Sequence, residues 1–120
     1  MRASAEKLDI LEKIENILQR VEGAKAFKGL LKELKRESAT VHLENLVGGA
    51  LSLYSAAAIL KRGGVNIFVA EDRDAAAYLL NDFYALLDED LVHFFPTSYK
   101  RSILYGKEDA QGVVQRTNAL

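Results

Sequence analysis

Between Asn45 and Leu53 the chain reads Asn-Leu-Val-Gly-Gly-Ala-Leu-Ser-Leu, with a glycine pair just ahead of a run rich in helix formers. A glycine-rich turn at that place invites comparison with a phosphate loop. There, backbone amides surround the phosphates, a lysine reaches the β and γ oxygens, and a hydroxyl holds magnesium. With Gly48 and Gly49 in the loop, the lysine position falls on Leu51 and the magnesium-ligand position on Ser52. Leucine supplies no charge, so ATP hydrolysis is not expected at this degenerate phosphate loop. The glycines serve equally well for close packing of backbone segments, and a free helix N-terminus can still attract an anion.

Glu71-Asp72 resembles the acidic pair at the start of a receiver-like signalling domain, but such a domain also needs a phosphoacceptor aspartate at the end of its third strand. The corresponding run here is His93-Phe94-Phe95-Pro96-Thr97, without a carboxylate. Asp72 as a helix N-cap accounts for the pair more simply. Tyr99, Lys100 and Arg101, with Ser98, Tyr105 and Lys107 nearby, interleave aromatic and cationic side chains, a composition that suits contact with nucleic acid or docking on a protein. His42 and His93 are some fifty residues apart and have no fixed third ligand, so no metal site is expected. His93 reads as a partly buried polar residue. Ser52, Ser55 and Ser98 lack a glycine-flanked nucleophile elbow, so no hydrolase triad and no catalytic residue are expected. Finally, Lys25, Lys28, Lys32 and Lys35 recur at helical spacing and could meet phosphate, or could form an ordinary solvated face beside Glu33 and Glu37.

Composition limits what these groups can do. The chain has 120 residues, 49% hydrophobic and 28% charged, with one proline, which fits a single globular domain or a piece of one. Sixteen basic against seventeen acidic side chains leave a net charge of −1, so any polyanion binding must be local. The absence of cysteine excludes disulfides, thiolate metal sites and a cysteine nucleophile. Acidic residues break up the first thirty positions, and no stretch of about 18 apolar residues occurs, so neither a secretory signal nor a membrane span is expected and the cytoplasm is the default address.

The elements that must position these groups follow from periodicity. Leu8, Leu11, Ile14, Leu18 and Val21 predict an amphipathic helix from a cap at Ser4 to Gly23, and Phe27, Leu30, Leu31 and Leu34 predict a second. Residues 50–62, closed by Gly63 and Gly64, and residues 74–88 predict two more, and another begins at Asp109. Val41-Leu46, Val65-Ala70 and Leu91-Phe95 read as strands, the middle one apolar enough to be covered on both faces. The order β-α-β-α-β predicts an α/β, three-layer open sheet with parallel strands, incomplete in these residues and forming the leading part of a larger domain.

Residues 41–120 also resemble a known family. The run His42 to Leu53, the segment Val65-Asn66-Ile67-Phe68-Val69-Ala70, the stretch Ala75 to Phe83, and Phe94-Phe95-Pro96-Thr97-Ser98-Tyr99-Lys100-Arg101 together look like the start of the bacterial transcription-repair coupling factor, Mfd. The resemblance implies a division into residues 1–38, a helical N-terminal extension, and 39–120, the first part of a UvrB-like α/β domain of the P-loop class whose phosphate loop, Gly48, Gly49, Leu51 and Ser52, has lost its lysine. The parent would be a cytoplasmic, ATP- and magnesium-dependent DNA translocase of nucleotide excision repair that releases stalled RNA polymerase and recruits UvrA. Its motor and its surface for UvrA would lie beyond these residues. The fragment itself would bind no cofactor, catalyse nothing, touch no membrane and pack on the rest of the parent chain. Tyr99, Lys100 and Arg101 would fall where UvrB probes DNA, although the short segment argues against a true hairpin. The readings from another class are a small nucleotide- or phosphate-binding enzyme domain, disfavoured by Leu51, and the receiver-like domain.

Overall fold

A computed structural model describes residues 2–96 and 110–120. The chain divides into two compact units, Met1–Phe68 and Val69–Leu120.

The first unit is built from three helices: α1 (Arg2–Gly23), α2 (Lys25–Leu34) and α3 (Ala50–Arg62). Helix α1 starts ahead of Ser4, which lies inside the helix instead of capping it. Only Ala24 separates α1 from α2. Its extended backbone (φ −70°, ψ 138°) breaks the helical run, while its N–H donates to the Val21 carbonyl at 3.0 Å. The three helices contact one another pairwise. Leu18 of α1, Phe27 and Leu30 of α2, and Ala56 and Ala57 of α3 are buried, so the small alanines let α3 lie close to the larger side chains of its neighbours. The Phe27 and Tyr54 rings meet edge to face with centroids 6.0 Å apart. The inner stripe of α1 is used unevenly. Leu18 is buried and Ile14 and Val21 half-buried, whereas Leu8 and Leu11, about two to three turns before Leu18, are exposed.

Helix α3 ends on glycine. The Gly63 N–H donates to the Ile59 carbonyl at 2.8 Å, and its backbone (φ 68°, ψ −161°) lies where side-chain-bearing residues are rarely found. Asn66 then donates to the Gly63 and Gly64 carbonyls at 3.4 and 3.2 Å and accepts from Arg62, which fastens the departing chain to the helix end.

The second unit contains α4 (Arg73–Leu86), a short 3-10 turn over Glu89–Leu91, and α5 (Ala110–Ala119). Asp72 caps α4 as expected, its Oδ1 accepting from the Ala75 N–H at 2.7 Å. Asp88 caps the 3-10 turn in the same manner through the Asp90 N–H at 3.1 Å. Phe83 is the buried anchor of α4. From α5, Arg116 donates to the Pro96 carbonyl at 3.1 Å.

The α/β three-layer open sheet with parallel strands is not found. The described residues are helical and contain no strand, and none of the three segments predicted as strands forms one. Val65, Ile67 and Val69, expected to be covered on both faces, are 87%, 84% and 93% exposed. The reason is physical. A helix closes its hydrogen bonds within itself, whereas a strand exists only through the ladder a neighbour supplies, and β-propensity mostly measures the fit to that neighbour. Apolar, β-branched composition identified segments fit for a sheet without supplying the pairing. Leu91, predicted to begin the third strand, ends the 3-10 turn instead.

Candidate functional site

The glycine-rich turn enters α3 as the spacing predicted. Asn45 and Gly48 both adopt positive φ, 63° and 61°, which turns the chain sharply, and Gly49 (φ −75°, ψ 0°) occupies the N-cap position. Asparagine and glycine are the residues best suited to those left-handed conformations. The Ala50 N–H donates to the Val47 carbonyl at 3.3 Å and the Leu53 N–H to the Gly49 carbonyl at 3.0 Å, while no side chain caps α3.

The two residues at the lysine and magnesium-ligand positions lie in opposite environments. Leu51 is 47% exposed, and Ser52, at 5%, belongs to the buried interior of the three-helix unit, where it is engaged by a neighbour. Consecutive helical residues point about 100° apart, so both cannot face one ligand at the turn. Segment 45–53 contains no cation. The arrangement therefore offers helix N–H groups and two glycines, without the charge that phosphoryl transfer requires.

The other candidates are dispersed. Tyr99, Lys100 and Arg101 lie outside the described residues. Asp72 is committed to the cap of α4, and Glu71 beside it is exposed. His42 is exposed and its Nε2 lies 3.4 Å from the Glu44 carboxylate. His93, expected to be partly buried, is exposed. It lines a cleft of about 140 Å³ together with Tyr84, Val92, Phe94, Gln115 and Asn118. Those residues come from α4, the segment before Pro96 and α5, and nothing in their sequence spacing could have gathered them. Gln115 Oε1 is buried there without a hydrogen-bond partner. Among the described residues no group of three His, Asp or Glu side chains is placed to hold a metal ion.

The lysine row of α2 is well formed. Lys25, Lys28, Lys32 and Lys35 are exposed, while Phe27 and Leu30 on the other side of the helix are buried. No helix among the described residues is long and apolar enough to cross a membrane. No family model, curated protein or solved structure matches the chain.

Proposed function

We propose that the chain is the N-terminal region of a transcription-repair coupling factor and acts there as a non-catalytic interaction module. The reading rests on the resemblance of residues 41–120, and the observation that carries its non-catalytic half is Leu51, a half-exposed apolar side chain where a phosphate loop needs an ammonium group. Ser52, buried among the helices, leaves the second essential position unserved as well. On this reading ATP and magnesium belong to the motor of the parent, as do DNA translocation, release of RNA polymerase and recruitment of UvrA, and the cytoplasm is the place of action.

Two experiments test the two halves separately. A thermal melt of the chain with and without millimolar Mg-ATP is expected to show no shift. Ligand at 100 times its dissociation constant would add about 2.7 kcal/mol, so a magnesium-dependent rise of several degrees would install the nucleotide-binding enzyme domain in its place. Disrupting the coding region for these residues in the source cell should abolish the preferential repair of transcribed strands after ultraviolet damage. Unchanged strand preference would remove the repair reading, whatever the melt had shown.

A further inference from the structure

We infer that the exposed face of α2 binds the phosphate backbone of duplex nucleic acid through Lys25, Lys28, Lys32 and Lys35. At 100° per residue these four side chains fall within an arc of about 80°, on the side away from Phe27 and Leu30. They extend over ten residue steps, or about 15 Å of helix, a length along which one strand of a duplex presents four or five phosphates at about 3.4 Å each. None of the four takes part in an ion pair among the described residues. Two of the acids nearest the row are otherwise occupied, and Glu37, exposed beyond its end, forms no ion pair with it. Glu33 binds Arg36 at 2.9 Å and Glu22 binds Lys61 at 3.4 Å. The row thus has uncompensated positive charge although the whole chain carries −1.

The makeup of the arc selects the partner. Between the lysines it holds no apolar or aromatic side chain that could anchor a protein interface, and lysine itself is depleted from such interfaces. Gly29, exposed and flanking the row, has open space where a side chain would stand, so a backbone of phosphates can approach the helix closely. With no aromatic platform, unstacked bases of a single strand gain nothing here, whereas point charges on flexible stems suit a duplex read without regard to sequence. The inference stands independently of the repair reading.

The test is fluorescence anisotropy of a short labelled DNA duplex of arbitrary sequence, titrated with the full chain over a range of salt. Four phosphate contacts give a slope of about −3.6 in log affinity against log salt, which is a loss on the order of 100-fold between 50 and 200 mM. Each Lys→Gln substitution in the row should reduce the slope by about 0.9, and the quadruple variant should lose binding while keeping its helical circular dichroism. Lys13→Gln, which removes a cation already paired with Asp9 away from the row, should leave the titration unchanged. Absence of binding at low salt, an unaltered slope in the single variants, or equal competition by polyglutamate and by unlabelled duplex at matched charge would each overturn the inference, the last in favour of an acidic protein partner.

Discussion

Phe27 and Tyr54 meet edge to face, with ring planes 65° apart and centroids separated by 6.0 Å, and this contact joins α2 to α3 across a loop of fifteen residues. Phe27, only 1% exposed, is the largest fully buried side chain among the described residues, so the first unit is organised around it. The tilted arrangement brings the positive edge of one ring to the negative face of the other. The same contact joins the interior of the unit to α3, the helix into which the glycine turn leads.

Phe27→Ala should therefore be the most damaging single change in the first unit. Loss of a buried phenyl ring costs about 3–5 kcal/mol, a large share of the stability of a small unit. Phe27→Leu, which keeps most of the volume, should cost considerably less. Urea titrations followed by circular dichroism will rank the two, and equal effects would show that Phe27 is not the anchor.

Glycine substitutions separate backbone strain from crowding. A Cβ at Gly63 or at Gly49 meets nothing within 4 Å, but Gly63 holds φ +68° and Gly49 does not require a positive φ. Gly63→Ala should cost about 1–3 kcal/mol, and Gly49→Ala well under that. Comparable midpoints for the two variants in thermal melts would contradict the backbone assignment at Gly63.

Gly29 runs in the opposite direction. It sits within α2, exposed, with open space where a methyl group would go. Gly29→Ala is expected to stabilise the chain by about 0.5–1 kcal/mol, because alanine has less backbone freedom to lose in a helix. A lowered melting temperature would show that the position needs glycine for another reason.

Asp72 offers a check on the second unit. Its carboxylate accepts from the Ala75 N–H at 2.7 Å, so Asp72→Ala should cost about 1 kcal/mol while Asp72→Asn, which retains an acceptor oxygen, should cost little. Amide hydrogen exchange at the first turn of α4 will report the loss locally. Full protection in the alanine variant would mean that the cap is dispensable.

The helices were legible in the sequence because their determinants are local. The three- and four-residue spacing of Leu18 and Val21, the stop at Gly63 and Gly64, and the cap at Asp72 each act within a turn or two of the backbone they shape. The turn at Gly48 and Gly49 was legible for the same reason, and so was the missing charge at Leu51. The lysine row could be counted, but its freedom from ion pairs could not, since that depends on Glu22 having Lys61 as a neighbour 39 residues away.

Tertiary structure decided the rest. The apolar pattern of α1 does not reveal that Leu18 is buried while Leu8 and Leu11 stay exposed, because that depends on where α2 and α3 lie. The cleft around His93 and Gln115 unites segments whose nearness no local rule encodes. The segment 65–70 shows the boundary most plainly. Its composition suits a strand, yet a strand needs a ladder of hydrogen bonds with another segment, and residues 65–70 form none. Sequence alone determines what a residue can form with its near neighbours in the chain; which distant groups it meets is settled only when the chain has folded.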